Sequence, residues 1–165
     1  PTMEAIVQPT AAIWKVLETV CDPEVPVLTI VDLGIVRDVQ ISEKGAVVTI
    51  TPTYSSCPAM DVIRIQIKMA LAEAGIKDVE IKQVLSPAWT TDWMSEEGKK
   101  KLNAYGIAPP QYKVKDNTTV EDTHPPCPQC KSADTRLVSE FGSTACKALF
   151  QCNDCLEPFD YFKCH

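Results

Sequence analysis

The chain has 165 residues, 45% of them hydrophobic, with 22 acidic and 16 basic side chains and a formal net charge of −6. A chain of this length holds one full core and a second unit too small to need one, and its acidic balance lacks the basic excess that draws a phosphate backbone, so no nucleic acid partner is expected. No apolar run approaches the roughly 20 residues that span a bilayer, and PTMEAIVQPT lacks a basic region followed by a hydrophobic stretch, so the expectation is a cytoplasmic protein with no membrane partner.

Taken in chain order, TAAIWKVLETV (10–20) sets Ile13, Val16, Leu17 and Val20 at helical spacing, with Pro9 and Thr10 as its start. CDPEVPVLTIVDLGIV breaks that pattern with two prolines and reads as a shaped loop running to Gly34. IVRDVQIS and AVVTITPT are β-branched runs split by EKG, which predicts a hairpin. DVIRIQIKMALAEA (61–74) alternates Ile63, Ile65, Ile67 and Met69 with polar residues as a strand would. Its length, the Cys57-Pro58 pair ahead of it and Gly75 behind it favour a helix. DVEIKQVL predicts a third strand, and Ser95, followed by Glu96 and Glu97 and then three lysines, predicts a short helix. APPQYKVKDNTTVEDTHPP is proline-rich and without apolar periodicity, as a linker is. The expected organisation is an α+β domain over 1–107, with helices packed on one small sheet, a linker over 108–123, and a metal-stabilised, β-rich ribbon over 124–165.

Six of the eight cysteines fall in the last 39 residues. CPQC (127–130) and CNDC (152–155) are two close pairs separated by 21 residues, a spacing that brings four thiolates around one ion. A module of about 40 residues buries too little apolar surface to fold readily alone, and metal binding supplies the missing free energy. Cys127, Cys130, Cys152 and Cys155 are therefore the expected ligands of a structural zinc ion, with iron or an iron–sulfur cluster, and disulfides, as the alternatives. Cys146 and Cys164 are alternative ligands or simply buried cysteines, and His124 and His165 near domain or chain ends are expected to be solvated. TRLVSEF and KALFQC read as strands between the knuckles, and EPFDYF supplies aromatics to pack beside the site.

Cys57 stands apart, after a β run and before Pro58. At a helix start, the unpaired N–H groups and the positive dipole end would favour its thiolate and make it a nucleophile or soft-metal ligand; the alternative is an inert, half-buried cysteine. Thr51, Thr53, Ser55 and Ser56 are either donors to it or turn residues.

DPEVPVLTIVDLGIV, TPTYSSCPAM and PAWTTDWMSEEGKKKL, in this order over roughly residues 10–107, resemble the small domain of bacterial iron–sulfur assembly factors and of the eukaryotic cytosolic iron–sulfur targeting factor. With its cysteine-rich tail, the whole chain resembles the non-catalytic accessory proteins of the multicomponent phenylacetyl-CoA epoxidase. The resemblance implies that Cys57 handles iron or iron–sulfur centres, with Asp22 and Asp32 of the acidic loop orienting the thiol or assisting the metal, or only capping local backbone. It places Trp89 and Trp93 in a hydrophobic lid or core, or on a docking surface. The implied partners are epoxidase components and iron–sulfur assembly proteins.

Three functions follow as expectations: a maturation or maintenance factor for the epoxidase's iron, a pure interaction scaffold, and a thiol-based enzyme. The last is weakened by the presence of only two histidines, neither of them near Cys57. Only one glutamate precedes a histidine by three residues, Glu121 before His124 in the proline-rich stretch read as a linker, whereas a carboxylate-bridged diiron oxygenase requires two such motifs on helices, and no glycine-rich nucleotide fingerprint is present.

Overall fold

The computed structural model describes residues 3–54, 57–111 and 119–163, with side chains from Thr10 onward. The described chain forms two compact units, residues 1–89 and 90–165. This division precedes the expected one at residue 107, because the short helix and two residues beyond it belong to the second unit.

In the first unit, helix α1 (Met3–Leu17) begins ahead of the expected start at Pro9–Thr10. Its stripe is as expected, with Ile13 and Leu17 buried and Val20 buried just beyond the helix end. Strands β1 (Val36–Ser42) and β2 (Gly45–Ile50) form the predicted antiparallel hairpin, and β3 (Val79–Gln83) lies parallel to β2, giving the order β1-β2-β3. Joining two parallel strands requires a crossover, which helix α2 (Ala59–Glu73) supplies.

The strand-like alternation across α2 has a geometric cause. Each two-residue step turns a helix by about 200°, so alternate residues fall on opposite faces. Ile63 and Ile67 are fully buried, whereas Ile65 and Met69 are each 59% exposed. Gly75 stops the helix as expected: at φ 90° it donates to Ala72 O (3.0 Å), and Ile76 donates to Leu71 O (2.8 Å). These two bonds are a Schellman closure. Leu28, Ile30, Leu33 and Ile35 of the proline-broken loop are buried along with Val48, Ile50 and the inner face of α2.

The second unit begins with a 3-10 turn (Thr91–Trp93) and helix α3 (Glu96–Tyr105). Ser95 caps α3, its Oγ accepting from Gly98 N at 2.9 Å, as the Ser-Glu-Glu pattern predicts. Strands β4 (Ile107–Ala108), β5 (Thr135–Ser139), β6 (Lys147–Cys152) and β7 (Pro158–Phe162) form a sheet in the order β4-β7-β6-β5. Ile107 and Ala108 pair in parallel with Asp160 and Tyr161. Two residues are too short to show periodicity, which is why this strand is not legible in the sequence. The small core comprises Ala108, Cys127, Ala148, Phe150, Cys152, Phe159 and Tyr161, so the EPFDYF aromatics pack beside the knuckles as expected. Phe150 stands edge-on to Tyr161 at 5.5 Å. Of the segment expected to be a linker, residues 112–118 lie outside the described residues.

Gly45 ties the hairpin to β3. Its φ is +139°, a β carbon there would lie 1.9 Å from Asp78 O, and that same carbonyl accepts from Ala46 N at 2.9 Å. Gly45→Ala therefore forces both a strained backbone and a displaced β3, and we expect it to destabilise the first unit by about 2–4 kcal/mol in denaturant unfolding.

Candidate functional site

The two C-x-x-C turns of the second unit are built alike. Cys127 N donates to Ser132 O (2.9 Å), and Cys152 N donates to Glu157 O (3.0 Å), closing each turn over the same span. The residue after each second cysteine, Lys131 and Leu156, has φ 65°, the left-handed conformation that reverses the chain. The turns are clipped together by Asn153, whose backbone N and side-chain Nδ2 donate to Asp134 O (2.9 Å) and Oδ1 (2.8 Å), and by the Ser132–Asp154 hydrogen bond.

This framework brings the sulfurs of Cys127, Cys130, Cys152 and Cys155 within 4.8 Å of one another. Cys127 and Cys155 are 3.7 Å apart, and Cys130 and Cys152 are 3.5 Å apart. A disulfide needs about 2.05 Å, so these are not bonded pairs. Sulfurs at about 2.3 Å from a tetrahedral zinc stand about 3.8 Å from each other, and the donor set matches that geometry. Backbone amides favour charge on the sulfurs. Amides of Cys155, and secondarily of Asp154, hold the Cys152 thiol down to about 7 against burial. The Glu157 amide acts the same way on Cys155, but burial and the neighbouring thiols push it up to about 12. Cys130, helped by the Ser132 amide, is raised by the crowded thiols, chiefly Cys152. Four thiols this close cannot all ionise unaided, and a divalent cation among them removes the conflict.

Among the described residues, the other tail candidates fall outside the cluster. Cys146 is buried with its sulfur 3.0 Å from Thr144 Oγ1 and is not in the group. Cys164 and His165 lie outside the described residues. His124 is exposed, as expected, with its Nδ1 3.0 Å from Thr135 O at the start of β5.

Around Cys57 the geometry differs from the expectation in two respects. The cap position of α2 falls on Pro58, with no side-chain cap bond, and the Cys57 thiol is raised rather than lowered. Burial is the largest cause; the Ala59 amide opposes it, Glu24 raises the thiol further, and Tyr54 and Thr53 hydrogen bonds lower it. A helix amide does reach the sulfur, but its effect is outweighed by desolvation. Ser55 and Ser56 lie outside the described residues. Thr53 and Tyr54 also line a hollow of about 120 Å³ with Trp89.

Asp22 and Asp32 are both buried and brace the loop. Asp22 Oδ1 accepts from Glu24 N (2.7 Å) and Val25 N (3.0 Å). Asp32 Oδ2 accepts from Thr29 N (3.2 Å), and Asp32 N donates to Thr29 Oγ1 (3.0 Å). Neither aspartate forms a ligand group with Cys57; the tail cysteines are the only such cluster among the described residues. The carboxylate that acts on the sulfur is Glu24, which sequence reasoning misses although it stands in the same DPE triplet. Trp89 is buried, its indole N–H donating to Leu33 O at 2.8 Å, while Trp93 is half-buried.

A raised thiol pKa means that Cys57 is protonated at neutral pH. Its alkylation by iodoacetamide is expected to have a pH midpoint above that of free cysteine, and a midpoint at or below it would contradict the burial argument.

Known proteins share this arrangement. A family model described as "Iron-sulfur cluster assembly protein" matches residues 10–83, and one described as "PaaD zinc beta ribbon domain" matches residues 111–163. The chain is 48% identical over 155 residues, 92% of its length and 91% of the relative's, to an Escherichia coli strain K12 protein named as a putative subunit of 1,2-phenylacetyl-CoA epoxidase. It is 40% identical over 92 residues, 54% of its length and 87% of the relative's, to an Fe-S protein maturation auxiliary factor of Porphyromonas gingivalis. A crystal structure of a domain of unknown function, DUF59, from Bacillus anthracis superposes with a TM-score of 0.58 at 31% identity, covering 61% of this chain and 97% of that one. No helix among the described residues is long and apolar enough to cross a membrane. The chain thus belongs to the family of that Escherichia coli epoxidase protein, in which an iron–sulfur cluster assembly domain is followed by a zinc β-ribbon domain.

Proposed function

We propose that this protein is a non-catalytic accessory factor that helps install or maintain an iron or iron–sulfur centre in a phenylacetyl-CoA epoxidase. In this role Cys57 is the transient ligand of the iron being handled, and the ribbon is a docking module fastened by zinc on Cys127, Cys130, Cys152 and Cys155. The observation that carries the reading is the union in one chain of a maturation-factor domain and the four-thiol ribbon, over nearly the full length of an epoxidase component. Its partners are epoxidase components and iron–sulfur assembly proteins, and its place is the cytoplasm.

The setting of Cys57 suits brief custody. One half-buried thiol, with Glu24 as its charged neighbour and belonging to no ligand cluster among the described residues, leaves most positions on a metal exchangeable. Iron(II) has to displace the thiol proton to bind. Glu24 attracts the cation, while the Ala59 amide and the Thr53 and Tyr54 side chains stabilise the sulfur's charge. A second reading, a pure scaffold, is favoured by the raised thiol and by the bracing role of both aspartates. One experiment separates the two. Epoxidase components are produced under limiting iron with the wild-type chain or its Cys57→Ala variant, and their iron and acid-labile sulfide are measured. We expect a severalfold lower content with the variant; equal content removes Cys57 from metal handling and leaves the scaffold.

A further inference from the structure

The chain is acidic as a whole, yet the second unit contains a concave surface of the opposite sign. A cleft of about 420 Å³ receives Glu96, Lys99, Lys100 and Asn103 from α3, Gln111 from the stretch after β4, and Lys131 from the first knuckle. The four α3 residues are at i, i+3, i+4 and i+7 and so share one face. Three ammonium groups meet one carboxylate, Glu96, which is paired with Lys99 at 3.3 Å, so the local charge of +2 rests mainly on Lys100 and Lys131 in a chain whose net charge is −6. Lys131 is held in place: its Nζ donates to Pro128 O (2.9 Å), and its backbone N to Cys127 O (2.9 Å). Gln111 is held as well, by Nε2 donating to Pro109 O (2.9 Å) and N donating to Tyr161 Oη (3.3 Å).

We propose that this cleft docks an acidic, extended segment of the client protein. The proposal rests on the docking role of the ribbon argued above and names the chemistry that role requires. Pro109 and Pro126 add carbon surface, and the lysine stems add more, so apolar side chains placed between carboxylates find contacts there. A compact phosphate group is a poorer match. The lining has no arginine fork, and the amino terminus of α3 is already capped by Ser95 Oγ. Lys99 and Lys100 come from α3 and Lys131 from the first knuckle, so the cations stand on two separate elements, and Glu96 among them repels a dense anion more than it repels spaced carboxylates. Lys131 takes its place only when the first knuckle is folded, which makes the cleft a property of the intact ribbon.

The test uses the full chain and a fluorescein-labelled peptide of about twelve Asp, Glu and Leu residues, followed by fluorescence anisotropy. Saturable binding is expected, weakened by added salt, and weakened about fivefold or more in the Lys99→Gln/Lys100→Gln double variant. Lys131→Ala, on the other wall, is expected to weaken it too, and a peptide with lysine in place of each acid is expected not to bind. Equal metal content and circular dichroism establish that the variants are folded. Amide resonances of Asn103, Gln111 and Lys131 are expected to shift on titration. Absence of saturation, or equal binding by the double variant, overturns the proposal. So does displacement of the peptide by coenzyme A or inorganic phosphate at lower concentration than by unlabelled peptide, since the cleft is then a phosphate site. The readout is independent of Cys57: peptide binding by Cys57→Ala at wild-type affinity supports the cleft whether or not that variant fails to support client metal content.

Discussion

The second unit depends on four sulfurs meeting at one point. Its buried core is a handful of side chains, two of them the cysteines Cys127 and Cys152 themselves. Such a core supplies little against the conformational entropy of ordering the chain. A thiolate-bound zinc ion contributes an apparent ~10–16 kcal/mol in small zinc-finger peptides, which is larger than anything this cluster of aromatics offers. The knuckle amides, the two left-handed residues and the Asn153–Asp134 clip all prepare that meeting point. β6 ends in Cys152, so the sheet register and the ligand position are one constraint. The cleft lined by Lys131 stands on the same turn.

The first unit is organised differently, around a loop of irregular backbone held by its own side chains. Asp22 and Asp32 commit their carboxylates to loop amides, and the Trp89 indole donates to the carbonyl of Leu33. The aspartates are thus better understood as builders of the loop than as companions of the sulfur. Cys57 lies between β2 and the start of α2, half-buried, with its acidity set by desolvation more than by the helix. A protonated, sheltered thiol resists adventitious oxidation and alkylation while remaining open to a metal that can displace its proton.

Much of this is legible in the residue order, for local reasons. Ser95-Glu96-Glu97, Gly75 and the EKG turn each fix a backbone feature through their own chemistry, and the paired cysteines announce their convergence through spacing alone. What stays hidden depends on distant contacts. β4 is two residues long and exists because β7 is there to pair with it. The unit boundary precedes α3 because that helix and β4 belong with the ribbon, a preference no composition change marks. An acidic Cys57 thiol is the natural expectation because a helix start is visible in sequence, whereas the burial and the Glu24 charge that win are not. The basic cleft is masked by the acidic total, since net charge averages over surfaces that a partner meets separately.

The central claim is that one ion unites the two cysteine pairs. Element analysis combined with X-ray absorption at the metal edge, on protein purified without added metal, tests it most directly. The account predicts one zinc per chain with four sulfur neighbours at about 2.3 Å, unchanged in Cys57→Ala and lost in Cys152→Ser. A metal-free folded ribbon, a shell of fewer than four sulfurs, or an iron–sulfur signature that follows the tail cysteines would contradict it.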